Sequence, residues 1–201
     1  MRSIIARVIL GDARACDRLG SVTLHPHQMI AARRLEAILD REGGALLSDV
    51  VGLGKTYTAL AIAASRGPLL VIAPAVLRTM WLDAFRRAGV PGDFVSFEAL
   101  SRGRRATERH RLVIIDEAHH ARNPATRRYD GVARACVRAE VLLLSATPLH
   151  NSRADVASLL ALFLGSRAFE LTDDEVARFV VRRTSAGDAT AVPLVAIAPS
   201  R

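Results

Sequence analysis

An α/β domain with a mostly parallel central sheet covered on both faces is the fold this sequence predicts, and three observations predict it. Short continuous apolar runs recur along the chain: ALLS (45–48), LLVIA (69–73), FVSF (94–97), LVIID (112–116) and VLLLS (141–145). Segments with apolar residues at helical spacing stand between most of them. Polar residues of the kinds that do chemistry fall just after the ends of several runs. Parallel strands buried on both faces read as uninterrupted apolar stretches rather than as alternation. In an open sheet of that kind the carboxyl ends of the strands form the rim where ligands bind.

The elements follow in order. Residues 26–41, PHQMIAARRLEAILDR, keep helical spacing behind a proline suited to a first turn. ALLS reads as a strand before a Gly-rich loop, and the Ala-rich stretch 55–64 as a helix. LLVIA is a second strand that Pro74 ends, and 76–88 returns to helical spacing with Gly89 and Pro91 as stop signals. FVSF, LVIID and VLLLS supply the third to fifth strands, and helices are expected over 126–138, 152–163 and 172–181. From Thr184 the pattern fades, as in a tail or a severed connection.

Composition excludes several classes of protein. With 201 residues, 50% of them hydrophobic and a mean hydropathy of +0.20, the chain suits one domain with its own core and is not a disordered chain. No apolar run approaches the ~20 residues of a membrane helix, and the short N-terminal apolar stretch is broken by Arg7 and Asp12, unlike a secretory signal. Two cysteines, Cys16 and Cys136, are too few for a disulfide framework. They read as buried or inert thiols in a reducing compartment, with a bridge between them as the rarer alternative. The net charge is +8. That suits a phosphate-rich partner; a genome that favours arginine codons accounts for it as well. All 28 basic residues except Lys55 are arginine, so the single lysine belongs where a compact ammonium is needed.

Lys55 lies in SDVVGLGKTYTAL (48–60), a strand leading through a Gly-rich turn to a Lys-Thr that opens a helix. Glycines let backbone amides approach phosphate oxygens, and a helix N-terminus adds free N–H groups and a favourable dipole. In this arrangement Lys55 reaches the β- and γ-phosphates and the Thr56 hydroxyl binds Mg²⁺. Asp49 stands at the first glycine position of the general P-loop pattern, so the strict form is not met. In LVIIDEAHHARN (112–123) a strand delivers an Asp-Glu pair. Asp116 there is suited to hold Mg²⁺ and Glu117 to orient or deprotonate a water. Adjacent His119 and His120 are expected on different sides of any regular element, which argues against a zinc site. VLLLSATPLHN (141–151) ends a strand in small hydroxyl residues that serve either as helix caps or as partners of a carboxylate or water.

In this order the segments resemble the first RecA-like lobe of superfamily 2 helicase-type ATPases, in their SNF2 (SWI2) branch. LHPHQ (24–28) resembles the Q motif, which would place Gln28 near adenine. SDVVGLGKT is similar to that family's D-E-x-G-L-G-K-T form of motif I, where Asp at the first position is common; Val50 stands where Glu is usual. LLVIAPAVLRTMWLDAF (69–85) resembles motif Ia, FVSFEALSR (94–102) motif Ib, DEAH (116–119) motif II and SATPLHN (145–151) motif III. FVVRRT (179–184) looks like the Arg-Arg stretch that follows the lobe. The resemblance implies a three-layer RecA-like P-loop NTPase domain over 23–184, with 1–22 an N-terminal extension and 185–201 a tail or linker. It implies ATP and Mg²⁺ as cofactors. It assigns nucleotide binding to Gln28, Asp49, Gly52, Leu53, Gly54, Lys55 and Thr56, catalysis to Lys55, Asp116 and Glu117, and the metal to Thr56 and Asp116. Coupling falls to His119, Ser145 and Thr147, and nucleic-acid phosphate contact to Arg78 and Arg102.

Such ATPases complete their site with a second lobe that carries motifs IV to VI and the arginine fingers, and nothing after residue 184 matches these. The expectation is the ATP-binding lobe of a DNA-dependent ATPase or translocase that turns over weakly or not at all alone. A fragment, a split gene whose partner is the second lobe, and a decayed paralogue all fit. The alternative is a non-catalytic ATP-binding docking module or inactive paralogue acting through protein contacts. An AAA+ protein fits less well, given Gln28 upstream and Ser-Ala-Thr downstream. The forms of motifs I and II look closest to bacterial SNF2-like proteins. They imply a cytoplasmic location, double-stranded DNA as partner, and a lobe 2 chain, RNA polymerase or another protein complex as further partners, with no membrane.

Overall fold

The structure is a computed structural model, and it describes residues 17–50, 52–104, 106, 110–146 and 153–183. A small antiparallel hairpin, β1 (Arg18–Leu19) and β2 (Val22–Thr23), precedes helix α1 (Pro26–Glu42). Then come β3 (Gly44–Ser48), α2 (Lys55–Ala63), β4 (Leu69–Ala73) and, after a 3₁₀ turn at Ala75–Leu77, α3 (Arg78–Ala88). The chain continues through β5 (Asp93–Ser96), α4 (Phe97–Ser101), β6 (Leu112–Ile115), a 3₁₀ turn at Ala118–Ala121 and α5 (Arg127–Cys136). It closes with β7 (Glu140–Ser145), α6 (Arg153–Leu164), a 3₁₀ segment at Gly165–Phe169, α7 (Asp173–Ala177) and β8 (Val180–Val181).

Six strands form one sheet in the order β5-β4-β6-β7-β3-β8, and every pairing in it is parallel. Because side chains alternate along a strand, each apolar run feeds two cores. Ala45, Leu47, Val71, Ile114 and Leu142 face α1, α2 and α3, where they meet Leu35, Leu60, Trp81 and Phe85. Leu46, Ile72, Val113, Ile115 and Leu143 face the other layer, where they meet Phe97 of α4, Val132 of α5 and Leu159 of α6. This three-layer sandwich is the predicted RecA-like arrangement. A third cluster, Val156, Leu160, Leu171, Val176 and Phe179, packs α6 against α7 and the approach to β8.

Four local expectations change. FVSF gives up Phe97, because Ser96 accepts the Ala99 N–H (3.1 Å) and caps a five-residue helix that was not foreseen. The start of 76–88 is the 3₁₀ turn rather than α-helix. The helix expected over 172–181 ends at Ala177; Phe179 enters the core and the chain becomes strand β8, Leu46 and Leu47 of β3 standing in register with Val180 and Val181. The hairpin spans the boundary expected at residue 22, and Ser21 bonds the Arg87 carbonyl at the end of α3 through its N–H (2.8 Å) and its hydroxyl (3.0 Å). Cys136 is a free buried thiol that burial pushes up to about 12. Cys16, and the tail expected from Thr184, lie outside the described residues.

Candidate nucleotide and cation site

Since the strands of the sheet are parallel, their carboxyl ends share one rim, and several of the predicted residues lie there. Asp49 follows β3, Asp116 follows β6, and Ser145 ends the central strand β7, buried and in register with Ser48. The loop from Asp49 to α2 carries Gly52 and Gly54 at φ 90° and 71°. Gly54 is required on two counts: its backbone is left-handed, and a Cβ would fall 2.1 Å from Nε2 of Gln28. Gln28 is buried, and its amide is engaged at both ends. Oε1 accepts the His25 N–H (2.8 Å) at the start of α1, and Nε2 donates to the Gly54 carbonyl (3.1 Å). The side chain expected near adenine therefore also holds the turn that opens α2.

Lys55 is half-buried, and its ammonium donates to the carbonyls of Asp49 (3.0 Å) and Val50 (3.2 Å), inside the curve of the loop. Leu53 and Thr56 are also half-buried, Thr56 in the first turn of α2. The first N–H groups of a helix have no partner within it, so this end of α2 suits an anion.

Asp116 is 7% exposed and held by two neutral donors. The indole Nε1–H of Trp81 donates to Oδ2 (3.0 Å) and the N–H of Glu117 to Oδ1 (3.0 Å). Burial raises its pKa above the ordinary carboxylate value; the Trp81 hydrogen bond opposes this, the Glu117 charge adds to it, and the Lys55 charge opposes it. Glu117 is in the left-handed region at φ 53°. For a residue other than glycine that conformation costs about 1–3 kcal/mol and is commonest where function needs it. Its Oε2 lies 3.3 Å from Nδ1 of His119. The two histidines do not diverge as expected: in the tight turn after Glu117 their rings are 4.4 Å apart. His120 then packs beside Phe97, over which Arg128 lies, while burial and the neighbouring His119 lower its pKa.

The carboxylate of Asp49, the residue at the first P-loop position, is turned to Arg183: Oδ1 accepts the backbone N–H of Arg183 (2.8 Å) and Oδ2 accepts Nε (2.8 Å) and Nη2. Nη1 of Arg183 donates to the His27 carbonyl (2.7 Å). Both side chains of the pair are almost fully buried. Arg183, read from the sequence as one of two basic residues closing the lobe, joins the loop, α1 and the end of β8. Neither this pairing nor the Trp81–Asp116 bond was foreseen, although both residues stand inside segments that were noted. Thr147 lies outside the described residues.

The two arginines expected at nucleic acid lie in different layers. Exposed Arg78 opens α3 with its guanidinium 5.6 Å from the centre of the Phe94 ring. Exposed Arg102 follows α4 and lines a groove of about 860 Å³ between α4 and α5, with Arg104, Arg127, Arg134 and Arg138.

A Lys-Thr helix start and a buried carboxylate on one rim of a parallel three-layer sheet, beyond the two strands that flank β7, define a RecA-like P-loop lobe. Comparison with known proteins narrows this. Residues 95–179 match the SNF2-related domain. The chain is 32% identical over 148 residues to the SWI/SNF-related matrix-associated actin-dependent regulator of chromatin subfamily A-like protein 1 of Xenopus laevis, covering 61% of this chain and 15% of that protein. It is 32% identical over 175 residues to the uncharacterized ATP-dependent helicase YqhH of Bacillus subtilis, covering 74% of this chain and 31% of that one. Its fold matches the Sulfolobus solfataricus SWI2/SNF2 ATPase core in complex with dsDNA, with a TM-score of 0.72 at 19% identity over 83% of this chain and 46% of that chain. The chain is an SNF2-type, helicase-like N-terminal lobe of superfamily 2. It spans less than a third of the length of these two curated relatives. Among the described residues no helix is long and apolar enough to cross a membrane.

Proposed function

We propose that this chain is the ATP-binding lobe of an SNF2-type, DNA-dependent ATPase or translocase, with residues 23–184 as the lobe and 185–201 as a tail or a linker. The observation that carries this reading is that Lys55, at the start of α2, and the buried carboxylate of Asp116 stand on one strand rim of a lobe of this family. Lys55, with the loop amides and the N-terminus of α2, would bind the phosphates. Gln28 and Gly54 hold that loop in shape.

The residues fit Mg²⁺. Asp116 is a hard oxygen ligand whose two hydrogen bonds come from neutral donors, so its charge remains for a cation, and the Thr56 hydroxyl begins α2 on the same rim. When bound, the ion would neutralise charge on the phosphate oxygens. Glu117, next along the chain and in contact with His119, would take the proton of the attacking water. Arginine fingers from a second lobe would complete the site, a contribution worth ~10³–10⁵ in rate elsewhere. Alone, the chain would bind nucleotide and turn over little. DNA enters as the partner through Arg78, Arg102 and the arginine-lined groove, by phosphate contact without base reading. RNA polymerase or another complex is a further partner of the reading, and the cytoplasm its location.

Titration with a fluorescent ATP analogue and an ATPase assay with and without duplex DNA test it. Lys55→Ala is expected to abolish binding; unchanged affinity refutes the P-loop assignment. DNA-stimulated turnover that disappears in Glu117→Gln supports the ATPase. Lys55-dependent binding with no turnover, even beside a lobe 2 chain, favours the docking module instead.

A further inference from the structure

We propose that Trp81 is a positioning residue for the cation site, its indole N–H orienting the Asp116 carboxylate for Mg²⁺. The inference rests on the nucleotide-binding function proposed above and deepens it. Trp81 is fully buried on α3, and its ring lies 5.9 Å from that of Phe85. Asp116, 35 residues later in the chain, follows β6. The carboxylate receives one N–H on each oxygen, from Trp81 on Oδ2 and from Glu117 on Oδ1, both at 3.0 Å.

Two donors on opposite oxygens set the rotation of the carboxylate about its Cβ–Cγ bond and still leave each oxygen a lone pair. Mg²⁺ demands near-ideal octahedral geometry, so a carboxylate set in advance has less freedom to lose when the ion or its water shell arrives. Both donors are neutral, so they orient the group without cancelling its charge. Indole nitrogen is a donor only and cannot compete for the cation. Phenylalanine fills much of the same space without an N–H. The bond also ties α3, which begins at exposed Arg78, to the end of β6.

Trp81 is the only tryptophan in the chain, so the wild-type protein reports on this bond without a label. The experiment measures binding of a fluorescent ADP analogue to wild type and Trp81→Phe, first in EDTA and then across a Mg²⁺ titration. The expected result is equal affinity in EDTA and a Mg²⁺ midpoint raised about tenfold in the variant, the scale of one lost hydrogen bond to a charged group. A simple packing defect would lower both affinities together, and that result, or an unchanged midpoint, overturns the proposal. Should Trp81→Phe fail to fold, unmodified Trp81 decides. Its emission is expected to change when Mg²⁺ is added to the ADP complex of wild type and to stay constant in Asp116→Asn; no change in wild type overturns the proposal. If wild type binds nucleotide in neither condition, the function proposed above falls as well, whereas Mg²⁺-dependent binding indifferent to Trp81 removes only this inference.

Discussion

Asp49 and Asp116 are the same residue type, both buried, each just beyond a strand on one rim, yet their surroundings give them opposite work. Asp49 is closed off by a guanidinium and a backbone N–H that occupy both its oxygens. Its charge is spent inside the protein, where it fastens the loop before α2 to the end of β8. Asp116 is held by Trp81 and Glu117 through neutral N–H groups, with Lys55 near enough to be felt but no ion pair formed among the described residues. Its charge is desolvated and oriented but not cancelled. A buried carboxylate with a fork of arginine around it is built for architecture. One with only neutral donors keeps its charge for the cation proposed above.

Neutralising each carboxylate in turn separates the two most sharply. Asp49→Asn leaves Arg183 buried without its counter-charge, a change that costs about 3–5 kcal/mol in comparable pairs. It should appear as a large drop in urea-unfolding stability, with nucleotide affinity falling only as the loop loosens. Asp116→Asn should cost less, about 1–3 kcal/mol, because the amide nitrogen cannot accept the N–H that one carboxylate oxygen accepted, while Mg²⁺-dependent nucleotide binding disappears. Equal stability losses in the two variants would break the distinction.

A smaller effect is expected from Arg183→Lys. The charge survives but the planar fork that reaches Asp49 and the His27 carbonyl together does not. A loss of about 1.5–3 kcal/mol in the same unfolding experiment would match the loss of one charge-assisted bond. Stability equal to wild type would show that charge alone, without geometry, holds the loop.

The smallest effect is a titration. Burial and then the Arg183 charge lower the pKa of His27 below the ordinary histidine value of 6.5. A lowered pKa means the folded state favours neutral imidazole, so this contribution is present above pH 6.5 and lost as pH falls from there through the folded value. In Arg183→Gln the His27 resonance, followed by NMR, should titrate at higher pH than in wild type, though still lowered by burial. An unmoved midpoint would place the Arg183 charge too far away to matter.

Much of the fold was legible because it is written locally. Continuous apolar runs such as LLVIA and LVII are what a strand buried on both faces requires, and Pro74 and Gly89 close their elements where expected. The short elements escaped for the opposite reason. Two residues of β8 hold too little pattern to distinguish a strand from the end of a helix, and α4 depends on one Ser96 cap rather than on periodicity. Of the candidate site, the rim positions of Lys55, Thr56, Asp116 and Glu117 were legible because their motifs are contiguous and sit at strand ends.

By itself, then, the sequence determined the layer architecture and which side chains reach the rim, since both follow from spacing within a dozen residues. Only the tertiary structure decided their partners. Arg183 meets Asp49 across 134 residues because β8 pairs beside β3, and Trp81 meets Asp116 because α3 packs over the sheet within reach of the end of β6. Hydrophobic periodicity sets which face of an element is buried. What a buried polar group touches depends on strand order and helix packing, and those are settled only when distant segments close on one core.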